Sequence, residues 1–220
     1  MKDSDLPKIS ILTPTYNRRK FLPLYLNNLK NLNYPLDKLE VCIDDDGTEP
    51  FIDYHVFKEQ IKPMTLVYHR DKKRRSIGEK RNYLVKKLST NKIVCFMDDD
   101  DIYNPQYIIY SYKCLIENKS GLVGSSGMLF TYPELDFKLT GIQCPMKFQI
   151  HEATMLFTKK YFKSMGGFQK TSQGEGASFI QNQDKNVFNT DINYIMVCVG
   201  HSGNSVDKLQ FSGDDKKLDT

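Results

Sequence analysis

The chain has 220 residues, of which 31 are Lys or Arg and 27 are Asp or Glu, so its formal net charge is +4. This small positive excess permits a phosphate-bearing ligand and does not call for nucleic acid as a partner. Hydrophobic residues make up 40% and charged residues 26% of the chain, as in ordinary soluble proteins, and no apolar run is long enough to span a membrane.

The cysteines and the first residues indicate a compartment. Five cysteines are present, an odd number, and no two of them have the spacing of a metal site. Residues 1–5 lack the apolar core of a signal peptide. We therefore expect reduced, buried thiols in a cytoplasmic protein.

Strand and helix patterns alternate through the first half of the chain. The run 9–13 predicts a strand stopped by Pro14, and apolar residues at helical spacing follow over 21–32. Further strands are predicted at 39–43 and 65–69. Strands and helices that alternate at this length predict βαβ units and hence a parallel sheet.

The most informative stretch is the apolar run 93–97, which leads directly into four acids, Asp98 to Asp101. Five apolar residues rich in β-branched and aromatic types predict a strand buried on both faces. Four neighbouring carboxylates cannot be buried there without a cation, because like charges raise each other's pKa. We expect the strand to end at Asp98 and the acids to lie at its carboxyl edge, where they can bind Mn²⁺ or Mg²⁺. An acidic surface turn is the alternative.

The second half of the chain is less regular. A helix is predicted from Asn104-Pro105 to about residue 117, because proline is compatible with a first helical turn. A loop rich in Gly, Ser and Gln is expected at 169–176. The other predicted elements are strands at 121–124, 127–132, 137–142 and 152–157, helices at 159–165 and 177–188, and a last strand at 194–199.

Polar residues follow three of the predicted parallel strands, at 13–18, 44–48 and 98–101. In a doubly wound sheet these strand ends lie along one edge, which is where ligands bind. The first loop supplies Tyr, Asn and Arg side chains, the second supplies carboxylates for a base or a ribose, and the third supplies a metal site. The basic run 70–75, with Arg81, can face a diphosphate, although a solvated loop is the alternative for the run. Together they predict a site for a nucleoside diphosphate with a divalent cation.

Four motifs occur in a recognisable order. They are Pro-Thr-Tyr-Asn-Arg at 14–18, Asp-Asp-Gly-Thr at 45–48, Arg-Asn at 81–82, and Phe-Met-Asp-Asp-Asp-Asp-Ile-Tyr-Asn-Pro at 96–105. This set resembles the signatures of family 2 glycosyltransferases of the GT-A fold, specifically over 8–110 and more loosely to about residue 207. The chain is also similar to small glycosyltransferases of large DNA viruses, some of which act on collagen-like proteins.

The resemblance implies an α/β protein of the GT-A fold, with a Rossmann-like, mostly parallel central sheet flanked by helices. It implies one domain over 1–220, with a nucleotide-binding half at about 8–110, an acceptor-binding half at about 111–211 and a frayed tail at 212–220. The implied activity is a metal-dependent hexosyltransferase that uses a UDP-sugar, with UDP-glucose as the expected donor. The implied acceptor is a hydroxyl of a glycan or glycoprotein, collagen-like in the viral group, and a viral source would place the enzyme in the host cytoplasm.

Site roles follow from the same resemblance. It implies Mn²⁺ or Mg²⁺ bound by Asp100, Asp98 and His201, although a lone His at such a position is as often structural. The alternate spacing of Asp98 and Asp100 is expected to turn Asp99 away and to leave Asp101 holding the turn. The residues implied in nucleotide-sugar binding are Pro14, Tyr16, Asn17, Arg18, Asp45, Asp46, Arg75, Arg81, Asp98 and Asp99. For Tyr16, stacking on the base and a core position are both open.

The general base is less well marked. Inverting members carry an acid pair after a Gly-Gly-Phe segment, and here the segment at 166–168 is followed by Glu175, with Gly176 in place of the second acid. Glu175 is therefore the expected base, and Asp184 is the reserve. If neither acid reaches the acceptor hydroxyl, a retaining mechanism is implied, in which the leaving diphosphate takes the proton.

Two other functions remain open at this level. A nucleotidyltransferase also combines an α/β sheet with metal-binding acids, but its Gly-rich phosphate loop is not seen after the first strand. A non-enzymatic module that binds RNA through the run 70–75 is the other alternative. Aromatic residues of the second half are expected to be exposed and to line either an acceptor groove or a homodimer face: Phe130, Tyr132, Phe137 and Phe148.

Overall fold

The computed structural model describes residues 3–143, 149–180, 186–204 and 206–213. The strands in these ranges are β1 Ile9–Thr15, β2 Leu39–Asp45, β3 Thr65–Arg70, β4 Ile93–Phe96, β5 Ile102–Tyr103, β6 Leu122–Gly124, β7 Gly127–Tyr132, β8 Lys138–Gln143, β9 Leu156–Thr158, β10 Val187–Asn189 and β11 Met196–Val199. The α-helices are α1 Leu22–Lys30, α2 Tyr54–Gln60, α3 Ile77–Tyr83, α4 Tyr107–Glu117, α5 Lys159–Met165 and α6 Ala177–Ile180. Within the described ranges, none of these helices combines the length and the apolar character needed to cross a membrane.

The strands form a large sheet and a small one. The seven-stranded sheet has the order β10-β6-β9-β4-β1-β2-β3, and the four-stranded sheet has the order β5-β11-β7-β8. Strands β3, β2, β1 and β4 are parallel to one another, whereas β9 lies antiparallel between β4 and β6. The predicted α/β fold with a mostly parallel sheet is therefore confirmed, with β9 as its antiparallel member.

Strand β4 is buried on both faces, as the sequence predicts. The side chains of Val94, Cys95 and Phe96 are fully buried. Cys95 packs in one hydrophobic cluster and Phe96 in the other, so the two faces of the sheet each cover a separate core. Because this strand is clamped between the two cores, the acids that follow it begin at a well-defined point in space.

Strands β1 and β2 each run two residues further than predicted. Strand β1 continues through Pro14 to Thr15, and β2 continues to Asp45. Pro14 pairs with Asp44 of β2, but β1 pairs with β4 only as far as Leu12. The missing N–H of Pro14 therefore interrupts no ladder on the β4 side, which is why the proline does not end the strand.

Three predictions for the second half are wrong in their bounds. Residues 152–154 form a short 3-10 turn, because pairing with β4 and β6 begins only at β9. The helix predicted over 177–188 is limited to α6 in the described residues, and β10 pairs with β6 instead. The last strand starts at Met196, after a 3-10 turn at Ile192–Tyr194. Tertiary pairing outweighed local propensity in each case.

The aromatic residues that were expected on the surface are partly buried and partly exposed. Phe130 and Tyr132 are buried, and Phe130 stacks on Phe211 with ring centres 5.0 Å apart, so the prediction that they are exposed is wrong. Phe137 is 67% exposed at the β7–β8 hairpin. Phe148 lies outside the described residues.

Candidate active site

The carboxyl ends of β1, β2 and β4 open onto one cavity of about 790 Å³. Because these strands are parallel neighbours, the loops that follow them lie along one edge of the sheet. Ten residues predicted to bind the donor or the metal line it: Pro14, Tyr16, Asn17, Arg18, Asp46, Arg75, Arg81, Asp98, Asp99 and Asp100. Among the described residues, Asp45, Glu175 and His201 do not line it, and Asp184 lies outside the described ranges.

The side chains of the four acids that follow β4 point in two directions. Asp98, Asp99 and Asp100 all line the cavity, so the expectation that Asp99 turns away from it is not met. Asp101 is directed into the protein, where it accepts hydrogen bonds from the Val199 N–H at 3.0 Å and from Lys208 Nζ at 3.2 Å. It holds the turn, as predicted.

Burial makes negative charge costly along this run. Burial raises the pKa of Asp98 even though Arg81 opposes it, and it raises the pKa of Asp99 further because neighbouring acids add to it. Burial also raises the pKa of Asp101, to about 6, against the opposing charge of Lys208. These acids favour a cation or a proton in their surroundings.

Asp100 behaves differently because a histidine and two cationic side chains surround it. Burial acts to raise its pKa, but His201, Lys208 and Arg18 together lower it below its usual value. His201 Nε2 lies 3.0 Å from Asp100 Oδ2, and Arg18 Nε lies 3.6 Å from the same oxygen. The predicted metal ligand His201 is thus in contact with Asp100 itself.

The carboxylates of this run can supply part of the coordination shell of a divalent ion. In the part of the chain that the structure describes, no three His, Cys, Asp or Glu side chains form a ready metal cage. Two buried carboxylate oxygens, Asp98 Oδ1 and Asp99 Oδ2, have no hydrogen-bond partner. Hard oxygen donors of this kind suit Mn²⁺ or Mg²⁺, which complete their shells with water and substrate phosphates.

Of the three acids in the second polar loop, one faces the cavity. Asp45 is fully buried and accepts hydrogen bonds from two backbone N–H groups of the following turn and from the Tyr68 hydroxyl at 2.6 Å. Asp44 is bound by the Arg75 guanidinium at 2.5 Å. Of the two acids expected to bind the nucleotide, Asp45 holds the loop. Asp46 lines the cavity, with one oxygen accepting from the Arg75 N–H at 2.8 Å and the other from Lys80.

Five cations line the same cavity, and two of them are absent from the sequence prediction. The Lys80 ammonium donates to Asp46 Oδ1 at 2.6 Å and to the Thr15 carbonyl. The Arg74 guanidinium carbon lies 3.4 Å from the centre of the Tyr16 ring. Arg74 belongs to the basic run 70–75, so a signal existed for it, whereas Lys80 is recognisable only once α3 is seen to bring it to the sheet edge.

Arg81 is held at the centre of an ion-pair network. Its Nε lies 3.1 Å from Glu175 Oε1, its Nη2 lies 3.5 Å from Asp98 Oδ2, and its guanidinium carbon lies 4.3 Å from the centre of the Phe96 ring. Glu175, the expected base, is only 5% exposed and is bound to Arg81. Arg81 Nη1 is buried without a hydrogen-bond partner, so one donor of this cavity-lining residue remains for a ligand.

Comparison with known proteins identifies the family of the chain. The sequence model of glycosyl transferase family 2 matches residues 10–170. An abequosyltransferase of Salmonella typhimurium is 34% identical over 98 residues, which is 42% of this chain and 28% of the relative. A processive diacylglycerol beta-glycosyltransferase of Mycoplasma genitalium is 29% identical over 101 residues, or 46% of this chain and 29% of the relative. The matched segments thus span under a third of these curated relatives.

Solved structures share the fold. A mannosyltransferase of Pyrobaculum calidifontis in complex with GDP-Man and Mn²⁺ superposes with a TM-score of 0.67 at 19% identity, covering 90% of this chain and 58% of that one. Residues 1–349 of S. aureus TarS in complex with UDP-GlcNAc superpose with a TM-score of 0.68 at 17% identity, covering 90% and 60%. These likenesses establish the GT-A fold of the chain.

Proposed function

The chain belongs to glycosyl transferase family 2, and from that membership we propose that it transfers a sugar from a UDP-sugar to a hydroxyl acceptor. The TarS relative and its complex with UDP-GlcNAc support a uridine nucleotide as the donor. The resemblance to viral glycosyltransferases makes UDP-glucose the first donor to test, and a collagen-like glycoprotein the first acceptor.

The observation that carries the proposal is the pairing of acids and cations in one cavity. Four carboxylates, those of Asp46 and Asp98 to Asp100, and five cations line a space of about 790 Å³. That volume is in the range of small-molecule sites, which hold roughly 300–1,000 Å³. A nucleotide sugar needs both kinds of group, because its diphosphate is anionic and is usually bound with a divalent ion.

We assign the metal to the acids of the β4 edge. Asp98 and Asp99 would hold Mn²⁺ or Mg²⁺ through their unpartnered oxygens, with Asp100 beside them. The bound ion would neutralise negative charge as it develops on the departing diphosphate. The complex of the Pyrobaculum neighbour with GDP-Man and Mn²⁺ supports a divalent ion as part of the donor complex.

The cations and the first loop would bind the rest of the donor. The Arg81 Nη1 donor, which has no partner among the described residues, and the cavity-lining Arg18 guanidinium would bind phosphate oxygens. Tyr16, one face of which lies against the Arg74 guanidinium, would stack on the uracil, and Asp46 would accept from a base or ribose donor. Free, buried cysteines at 42, 95, 114 and 198 support a reducing compartment as the place of the reaction.

The test is UDP release with Mn²⁺ across a panel of UDP-sugars and GDP-mannose. We expect metal-dependent UDP release with at least one UDP-sugar, and loss of that release in EDTA. Calorimetry with UDP and Mn²⁺ checks binding separately from turnover. A chain that neither binds UDP nor releases it from any donor would contradict the proposal, and pyrophosphate release would favour a nucleotidyltransferase.

A further inference from the structure

Gly176 leaves room for a carboxylate from another part of the chain. A Cβ atom at position 176 would lie 2.4 Å from Glu152 Oε1 and 2.8 Å from its Cγ. The Glu152 side chain therefore occupies the space that a side chain at 176 would fill. The Gly176 N–H donates to Glu152 Oε1 at 2.9 Å, which fixes the carboxylate in that space.

Glu152 is not among the residues that line the cavity, but its neighbour in the chain is linked to the acid end of the cavity. The Asp98 N–H donates to the Tyr103 hydroxyl at 2.9 Å, and that hydroxyl donates to the Ala153 carbonyl at 3.0 Å. Ala153, the residue after Glu152, is thus linked to Asp98 through the Tyr103 hydroxyl. Burial acts to lower the pKa of the Arg81 guanidinium, but the charges of Asp98, Glu175 and Glu152 raise it overall, so Glu152 shares the electrostatic surroundings of Arg81.

Glu152 also differs from the neighbouring acids in availability. Glu175 is buried and bound to Arg81, and Asp98 faces the same guanidinium. Glu152 is partly exposed, and within the described residues its Oε2 accepts no hydrogen bond. A general base needs a carboxylate oxygen that can reach a hydroxyl, and the fixed Oε1 with a free Oε2 meets that need.

We propose that Glu152 is the general base that activates the acceptor hydroxyl, while Glu175 holds Arg81 in place. The proposal rests on the proposed function. The Glu152 carboxylate takes the proton of the acceptor hydroxyl as its oxygen forms a bond to the anomeric carbon. The bond between that carbon and the diphosphate oxygen breaks, UDP leaves with the electron pair, and the anomeric configuration is inverted.

The first test replaces the base without changing its size. With methyl hexosides or water as the acceptor probe, Glu152→Gln should lower the rate of UDP release by roughly 100- to 10,000-fold. Its UDP affinity should stay within about twofold of the unmodified chain, because Glu152 contacts the acceptor rather than the nucleotide. The matched control is Glu134→Gln, an exposed acid on the β7–β8 connection, which should leave the rate unchanged.

A second test moves the acid to the other position. Gly176→Asp alone should be poorly active, because its Cβ collides with the Glu152 carboxylate. In the pair Glu152→Ala with Gly176→Asp that collision is gone, and the new carboxylate enters the same space. We expect the pair to release UDP at least about tenfold faster than Glu152→Ala alone.

The outcomes separate this assignment from the proposed function. UDP release by the unmodified chain, with Glu152→Gln equally fast, would overturn the base while leaving the transferase intact. A product of retained configuration would do the same and would assign the proton to the leaving diphosphate. Loss of UDP binding in Glu152→Gln would show a structural role instead. If the unmodified chain releases no UDP, the proposed function fails and the base assignment fails with it.

Discussion

Replacing Arg81 by Met should cost the protein a large part of its stability, independently of any ligand. Arg81 is 4% exposed and compensates Asp98 and Glu175 at 3.5 and 3.1 Å. Removing one member of a buried ionic network leaves the other charges without a partner, which typically costs about 3–5 kcal/mol. Met keeps the apolar stem against Phe96, so the loss reports the charge rather than the packing.

The assay is urea unfolding at pH 7 without metal or nucleotide. The matched control is Arg19→Met, an exposed arginine whose guanidinium donates to the Pro50 carbonyl, and it should cost about 0.5 kcal/mol or less. Adding Glu175→Gln to Arg81→Met should restore part of the lost stability, because one of the two unpaired charges is removed. A loss below about 1 kcal/mol in Arg81→Met would refute the view that this network is a structural centre.

Three further changes test other parts of the fold. Hydrogen bonds from Ser10 and Thr90 outweigh burial and hold the pKa of Glu40 below its usual value, so its stabilising effect is present above about pH 4.5 and is lost as the pH falls through the folded-state pKa. The difference in unfolding free energy between the unmodified chain and Glu40→Gln should therefore be about 1–3 kcal/mol at pH 7 and shrink below pH 4. Asp100→Asn should abolish metal-dependent UDP release while circular dichroism stays unchanged, and equal release would refute its role. Gly78→Ala places a Cβ 1.7 Å from the Gln169 carbonyl oxygen, so it should lower stability by about 1–3 kcal/mol in urea unfolding, and an unchanged midpoint would contradict the close approach.

The strand ends were predictable because their chemistry is local. An apolar run that leads directly into Asp98–Asp101 predicts both the buried strand β4 and the acidic edge, and the structure has both. The direction and the hydrogen-bond partner of each acid were not predictable in the same way. Asp101 turns inward because Lys208, which is distant in the sequence, donates to it. Asp45 accepts a hydrogen bond from the Tyr68 hydroxyl of the neighbouring strand.

The surroundings of the expected base were harder to predict for the same physical reason. Glu175 follows the expected Gly-Gly-Phe segment, yet its partner Arg81 lies on α3, 94 residues earlier in the chain. Glu152 gave no signal of its own, because only the space left by Gly176 distinguishes it from an ordinary surface acid. Sequence patterns report the face of an element, whereas such pairings depend on how distant elements pack.

The contacts around Asp100 and Asp101 also have a consequence for how the protein is made. His201 reaches Asp100 across 101 residues of sequence, and Lys208 reaches Asp101 across 107. A nascent chain that has left the ribosome only as far as α4 can already pair β1 to β4, because those contacts lie within it. Arg18 and Arg81 are already present in that chain beside Asp100 and Asp98. Asp101, however, remains without Lys208, and Asp100 without His201, until residues 201–208 have been synthesised. During translation Asp101 therefore lacks the cation that offsets its burial, and a free divalent ion in the cell can supply the missing counter-charge.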